Sequence, residues 1–405
     1  MKGNILSDNA IHPCTGCGIC ASVCPTEAIT MAFDNEGFYR PILNVEKCID
    51  CSACIKSCYK YNHISEYNIE RHPEVRLYAC KAKDKSILQS TSSGGIAYLL
   101  AKTLYKEGYR CYGVVYDLTK DYATHICAEK EEDIDLFKGS KYIQSVTFPA
   151  FKEMIAKNKV AEKTALFGTP CQIYAVSQYL DRVKKRDNFI LIDIYCHGCP
   201  SVKLWQAYIR QLKEIIGNSS YNQVFFRSKR KGWGNFVVTL ELEDSPVFVS
   251  KRTNNQFYQL FFSKLMLNDA CIDCSLRGSL AFTDIRLGDF WGKCYDCDET
   301  GVSGVTLVTK KGSEIFNRIR SEITVKEHSF SDFLPYQTWK TRYKIDFTLR
   351  SKLFDMLDNG VSLKKLVSCY YSHQPISQKL KRYLKNVVLL LPMPLVNRIK
   401  MIYHK

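Results

Sequence analysis

Past residue 75 the chain alternates short apolar runs with stretches of helical period, the pattern of an α/β domain whose buried strands are wrapped by amphipathic helices. Residues 91–107 begin TSSGG and continue IAYLLAKTLYKE, which predicts a capped glycine loop feeding an amphipathic helix, and the strand-like CYGVVYD follows. Residues 164–180, TALFGTPCQIYAVSQYL, predict a short apolar strand, a Gly-Thr-Pro turn and a helix. Residues 189–212 repeat that plan with FILIDIY, the turn CHGCPS and VKLWQAYIRQL. A polar connector bearing Tyr and Asn, at residues 59–75, separates this region from the N-terminus. At 405 residues the chain exceeds one ordinary core. The expected fold is therefore α+β: a small N-terminal domain followed by a larger mixed α/β domain.

The small domain is defined by cysteine. Residues 14–24 read CTGCGICASVC and residues 48–58 read CIDCSACIKSC, both C-x2-C-x2-C-x3-C, so each cysteine recurs 34 positions on. Three cysteines on a tight loop wrap three corners of a cubane, and a fourth from the other repeat closes the last. One 4Fe-4S cluster is thus expected on Cys14, Cys17, Cys20 and Cys58, and a second on Cys48, Cys51, Cys54 and Cys24. The competing reading, structural zinc, uses C-x2-C pairs without a third cysteine at the next step. Tyr59 stands where the bacterial pattern places proline after the fourth cysteine.

Further cysteines sit where chemistry is expected. Cys171 and Cys196 each follow a strand and open a helix, where the dipole favours thiolate. Cys271 and Cys274 form another C-x2-C pair before a strand. Together the four suffice for a third cluster if the fold brings them together. Cys196 and Cys199 also fit a thioredoxin-like dithiol. The Ser-Gly loop at residues 92–95 precedes a helix and suits a cofactor phosphate.

Five motifs in one order carry a resemblance: Ser92-Ser93-Gly94-Gly95, Gly139-Ser140-Lys141-Tyr142, Gly168-Thr169-Pro170-Cys171-Gln172, Tyr195-Cys196-His197-Gly198, and Cys271 to Asp289. Across about residues 75–325 the chain resembles the beta subunit of the coenzyme F-420-reducing hydrogenases and dehydrogenases, a family that includes 7-hydroxymethyl chlorophyll a reductase. The resemblance implies a 4Fe-4S cluster on Cys171, Cys196, Cys271 and Cys274 beside a bound FAD. It implies a flavin pocket drawn from Ser92, Ser93, Gly94, Gly95, Lys141, Tyr142, Thr169 and Gln172. His197, beside Cys196, reads either as a proton donor near the flavin or as a partner of a sulfur or backbone group. The fused ferredoxin domain and the Gly288-Asp289-Phe290-Trp291-Gly292 ending look closest to members of unknown substrate associated with surface-polysaccharide gene sets.

The implied organisation is a dicluster domain (1–65), a flavin-binding region (75–155), a region with the third cluster (160–330) and a helical C-terminal extension (331–405). The expected function is an iron-sulfur flavoprotein oxidoreductase that relays electrons from a one-electron carrier to FAD and an unknown acceptor. Rival readings are a non-catalytic electron-transfer subunit docking a partner enzyme and a metal-stabilised interaction protein. The formal charge of +16 falls to about +10 with three dianionic clusters. That balance favours an acidic carrier such as ferredoxin or flavodoxin, with no nucleic acid expected. Basic runs at residues 182–185 (RVKK) and 228–231 (SKRK) read as solvated faces. The opening MKGNILSDNA lacks the apolar core of a secretion signal, and eight of the nineteen cysteines fall in regular clusters, which suits metal ligation in a reducing cytoplasm. Cys294 and Cys297 read as unligated loop thiols, and Cys80, Cys111, Cys127, Cys199 and Cys369 as ordinary small residues. The tail, residues 378–405, carries about ten apolar residues among basic ones, too few to span a bilayer. Docking on protein is favoured there over peripheral membrane contact.

Overall fold

Two apolar runs centre the architecture. In the computed structural model, which describes residues 3–157, 162–217, 219–243, 247–250 and 255–377 with isolated positions beyond, the runs TALF and FILIDI lie side by side in the middle of a large sheet, nearly every residue buried. Strands buried on both faces pair in parallel and leave their connections to helices.

A hairpin of β1 (Ile29–Phe33) and β2 (Tyr39–Leu43) belongs to the N-terminal domain. The large sheet takes β3 (Arg76–Ala82), β4 (Arg110–Asp117), β5 (Tyr122–Cys127), β6 (Ser145–Val146), β7 (Thr164–Phe167) and β8 (Phe189–Ile194). A separate small sheet follows, β9 (Tyr221–Ser228), β10 (Val237–Leu242) and β11 (Phe248–Val249). The chain then returns to the large sheet with β12 (Ile285–Asp289), β13 (Ser303–Leu307) and β14 (Ile323–His328). The nine strands run β14-β3-β13-β12-β8-β7-β4-β5-β6. Within them β12, β8, β7 and β4 are mutually parallel. The expected mixed α/β character is met by this mixed sheet.

Parallel pairing sends β7 and β8 out at one edge, so the turns that carry Cys171 and Cys196 emerge beside each other, where open α/β sheets bind their ligands. The helix Pro170–Arg182 follows the first turn. After the second, the helix Val202–Ile216 is capped by the Ser201 hydroxyl, which accepts from the Lys203 N–H at 3.2 Å. It buries Leu204, Trp205, Tyr208, Ile209 and Leu212 against the small sheet.

Within the C-terminal extension, helices Phe347–Asp358 and Leu363–Ser372 pack into the same core. Arg350, 4% exposed, donates to the Leu267 carbonyl at 2.7 Å and pairs with Glu36 and Asp269 at 2.9 Å. The extension thereby ties the N-terminal hairpin to the segment ahead of Cys271. The tail expectation concerns residues 378–405, which lie outside the described residues apart from isolated positions. Among the described residues no helix is long and apolar enough to cross a membrane.

Asp193 on β8 and Arg286 on β12 are fully buried and joined by two contacts of 2.8 and 2.5 Å. Arg286 also reaches the Arg277 carbonyl at 3.3 Å, so the pair anchors the loop after Cys274 to the sheet. Replacing Arg286 with Leu strands a buried carboxylate. The expected cost is about 3–5 kcal/mol, read as a large fall in the denaturation midpoint of anaerobically prepared protein.

Candidate redox centre

Tight thiol loops need backbone that bends sharply while its polar groups stay paired. Gly16 and Gly18 supply the bend at φ +70° and +76°. A Cβ on Gly16 would meet the Tyr39 carbonyl at 2.2 Å, and one on Gly18 the Thr147 hydroxyl at 2.3 Å, so the approach admits only glycine. Around this turn Cys14, Cys17, Cys20 and Cys58 are drawn together. Burial pushes the Cys20 thiol well up, and the neighbouring Cys17, Cys58 and Cys14 sulfurs add to it. Cys17 is pushed up to about 11, chiefly by burial.

The second repeat forms a second set. Cys24, Cys48, Cys51 and Cys54 line one small hollow together with Pro25, Ile29, Leu43 and Ile49. Burial raises Cys54 to about 11, while Cys51 is exposed. The Ala28 N–H donates to the Cys24 sulfur at 3.3 Å.

The third set also assembles. Cys171 is pushed well up by burial and by the adjacent Cys17, Cys196 and Cys271 sulfurs, and burial with Cys271 beside it raises Cys274 to about 12. Cys199, expected as an ordinary small residue, lies instead within this group, its N–H donating to the Cys271 sulfur at 3.4 Å. Hydrogen bonding with Cys199 holds Cys196 and Cys271 below the ordinary thiol value. The Arg277 guanidinium acts on Cys196 in the same direction, and Lys264 neighbours both sulfurs. Among the described residues no group of His, Cys, Asp and Glu is gathered tightly enough for a single metal ion. A cubane spreads its thiolates farther apart than one ion does. Three groups of thiols, each ringed by its own kind, fit that donor chemistry.

The sets are in sequence. Cys20 of the first neighbours Cys54 of the second, and Cys17 of the first neighbours Cys171 of the third. Tyr59, 1% exposed, joins two of the thiol loops directly: it follows Cys58, and its hydroxyl accepts from the Ser275 N–H, next to Cys274, at 3.2 Å. His12 stacks on its ring at 4.2 Å.

A cavity of about 600 Å³ opens between the small sheet and the segments at residues 86–92 and 139–141. One wall carries Ser92, Gly139, Ser140 and Lys141, and the other Arg227, Lys229 and Arg230 of the strand-end run at β9. Lys141 donates to the Leu136 and Lys138 carbonyls at 2.7 and 2.9 Å, and burial pulls it down to about 7. Arg227, 4% exposed, pairs through Nη1 with Asp289 and lies against Phe236 and Trp291 at 4.9 Å. Among the described residues its buried Nη2 has no hydrogen-bond partner. An unpaired guanidinium N–H on a cavity wall fits an anionic or carbonyl oxygen.

Of the eight residues expected to line a flavin pocket, the cavity takes Ser92 and Lys141. Ser93 and Gly94 are spent on β13, through the Val302 carbonyl and the Ser303 hydroxyl at 2.9 Å each. Gly95 packs on Ile87 as the N-cap of the helix Ile96–Lys106. Tyr142 packs on Tyr258 and Phe261. Thr169 and Gln172 close the helix start on each other, the Thr169 N–H donating to Gln172 Oε1 at 2.9 Å. His197 does not line the cavity, and burial with Lys264 beside it pulls its imidazole down to about 4, which leaves it neutral at pH 7. The SKRK run, expected as a solvated face, contributes Ser228, Lys229 and Arg230 to the cavity wall. Its place between an apolar strand and Trp233 was the available signal. Cys294 and Cys297 lie exposed on their loop.

Fold and thiol sets together fit a protein of the iron-sulfur class. Residues 161–332 match the family described as the C terminus of the coenzyme F420 hydrogenase/dehydrogenase beta subunit, and residues 13–62 match the 4Fe-4S dicluster domain. Those matches take in the motifs from Gly168 to Asp289 and the duplicated cysteines. The chain is 22% identical over 191 residues to a subunit of the F(420)H(2) dehydrogenase of Methanosarcina mazei, covering 45% of this chain and 53% of the relative. It is 24% identical over 192 residues to an uncharacterized protein of Methanocaldococcus jannaschii, covering 41% and 52%. The chain thus spans about half the length of the curated relatives it matches. A chain in the F420-reducing NiFe hydrogenase complex of Methanosarcina barkeri overlays 75% of this chain and 91% of its own length, with a TM-score of 0.43 and 19% identity.

Tyr59→Phe removes the acceptor for the Ser275 N–H and leaves the ring in place. A loss of about 1–3 kcal/mol in stability is expected, with iron content unchanged. Differential scanning calorimetry on iron-quantified samples checks both halves.

Proposed function

We propose that this protein is an iron-sulfur flavoprotein that moves electrons from a one-electron carrier, through three 4Fe-4S clusters, to FAD in the cavity and on to a two-electron acceptor. The observation that carries the proposal is the succession of thiol sets, second to first through Cys54 and Cys20, first to third through Cys17 and Cys171. In this reading Cys14, Cys17, Cys20 and Cys58 hold one cluster, Cys48, Cys51, Cys54 and Cys24 another, and Cys171, Cys196, Cys271 and Cys274 the third. When bound, clusters supply single-electron transfer and FAD the conversion to a two-electron reaction.

The chain's own residues set the terms. Arg277, Arg286 and Lys264 offset negative charge at the third set. Arg227, held by Asp289, offers its free N–H to the flavin, and Lys141 and Lys229 give the cavity the positive charge a pyrophosphate needs. The fused dicluster domain and the Gly288–Gly292 ending support an acceptor from surface-polysaccharide metabolism. His197, if it serves the flavin, does so as a neutral imidazole.

Electrons enter at the second set. Val45 and Ile49, 66% and 64% exposed, flank Cys48 and the exposed Cys51. Unpartnered apolar surface beside the outermost thiols suits a docking partner. In the main reading this is an acidic carrier such as ferredoxin or flavodoxin, in a cytoplasmic setting. The same patch supports a second reading, an electron-transfer subunit seated on a larger enzyme, in keeping with a relative that is itself part of a dehydrogenase.

Anaerobic purification followed by iron, acid-labile sulfide and flavin assays on one sample should return about twelve irons and one FAD per chain. About eight irons without flavin contradicts the proposal. Arg227→Met should weaken FAD binding by about 1.5–3 kcal/mol, roughly ten- to a hundredfold in Kd, measured by flavin fluorescence titration.

A further inference from the structure

Cys294 and Cys297 belong to none of the thiol sets, and both are exposed, whereas Cys80 and Cys111 are buried. Three positions apart, they lie on one continuous turn over residues 293–297. The Tyr295 N–H donates to the Gly292 carbonyl and the Asp298 N–H to the Tyr295 carbonyl, each at 3.0 Å. Backbone turned this tightly keeps the Cα atoms of positions i and i+3 within about 7 Å. A disulfide spans that separation.

The turn is mounted firmly between the two thiols and after them. Tyr295 points inward: its hydroxyl meets His328 Nε2 at 2.8 Å, and its ring packs edge-on against Phe290 with centroids 5.1 Å apart. The flanking cysteines are left to solvent. Next to Cys297, Asp298 pairs with Lys81 at 2.6 Å and accepts from the Thr300 and Gly301 N–H groups at 2.8 and 2.7 Å. The carbonyls that follow reach the wall of the cavity. Glu299 accepts from the Trp233 N–H at 3.0 Å, and Thr300 accepts at 2.5 Å from Lys229, a lining residue that also donates to the Ser93 carbonyl at 2.8 Å.

We propose that Cys294 and Cys297 form a thiol–disulfide exchange site that takes the disulfide of a small thiol as its oxidant, and that its state is passed to the cavity wall through residues 298–301. In the first step one loop thiol gives its proton to solvent and attacks a sulfur of the small disulfide. A mixed disulfide forms, the S–S bond of the oxidant breaks, and the departing thiolate takes up a proton. In the second step the other loop thiol gives up its proton and attacks the loop sulfur of the mixed disulfide, expelling the second small thiolate, which is protonated in turn. Two electrons and two protons leave the loop; it gains one disulfide, and the oxidant becomes two thiols. The backbone has already closed the turn, so the second step costs little chain entropy and the internal disulfide prevails over the mixed one. The new bond ties position 297 to position 294 and narrows the motion of the segment that holds Lys229 and Trp233. Neither a cluster nor a flavin enters these steps.

The test equilibrates the full-length anaerobic holoprotein in buffers of graded reduced and oxidised glutathione, followed by acid quenching, alkylation and peptide mapping by mass spectrometry, with an iron assay on each sample. In the unsubstituted protein Cys294 and Cys297 are expected to lose alkylation together, in one two-electron transition, with no glutathione retained and iron content unchanged. Cys294→Ser and Cys297→Ser are each expected to hold glutathione on the remaining loop cysteine. Both thiols still alkylated in the most oxidising buffer, or each carrying its own glutathione, would overturn the proposal. Hydrogen exchange on the same samples reads the link to the cavity. Oxidation is expected to slow exchange at residues 298–301 and at the Trp233 N–H, with no change in the Cys294→Ser/Cys297→Ser double variant. A disulfide that forms and leaves exchange in both segments unaltered would overturn the proposal as well.

Discussion

Two side chains of the large domain bond the backbone of the first thiol loop, and the redox geometry depends on them. Gln144 accepts from the Tyr39 N–H at 2.8 Å and donates to the Thr15 carbonyl at 2.9 Å, while Thr147 donates to the Cys17 carbonyl at 2.8 Å. A loop that wraps a cluster cannot pair its peptide groups in a ladder, and buried peptide groups left unpaired are costly. The large domain supplies the missing partners. The ferredoxin domain is consequently docked rather than tethered, and the distance from Cys17 to Cys171 becomes a property of the fold. Tyr59 adds a second tie on the far side of the same loop, from Cys58 to the segment of Cys274.

The second consequence is electrostatic. Thiols such as Cys20, Cys171 and Cys274 are held above their ordinary values by burial and by one another. Left as thiols they contribute little to stability, and as bare thiolates they would repel. Bound iron would resolve the conflict by taking the charge, so folding and cluster loading are expected to be coupled. Arg277 beside the third set serves the same end, and it is itself positioned by the Thr341 carbonyl at 3.0 Å.

Much of this was legible in the residues, because its signals are local. The repeat of Cys14–Cys24 at Cys48–Cys58 names a dicluster domain by spacing alone. The strand-turn-helix units ending in Cys171 and Cys196 are visible because strand, turn and helix follow one another in sequence. Three features were not visible. The small sheet β9–β11 interrupts the large one, and only its packing puts Arg227 and Lys229 opposite Ser92 and Lys141. The placing of Cys199 beside Cys271 depends on Leu267 and Asn268, some seventy positions away. The flavin motifs do not foretell their own local bonding: Thr169, Gln172, Ser93 and Gly94 satisfy their backbone surroundings. Motif residues at helix starts and strand junctions are recruited for caps as readily as for ligands.

The central claim is that three clusters sit in succession at short range, and the magnetic interaction between them tests it most directly. Electron paramagnetic resonance of the fully reduced holoprotein, recorded at several temperatures and two microwave frequencies, reads that interaction. The account predicts a broadened, spin-coupled spectrum that integrates to about three spins per chain. A spectrum that decomposes into independent, uncoupled cluster signals would contradict it.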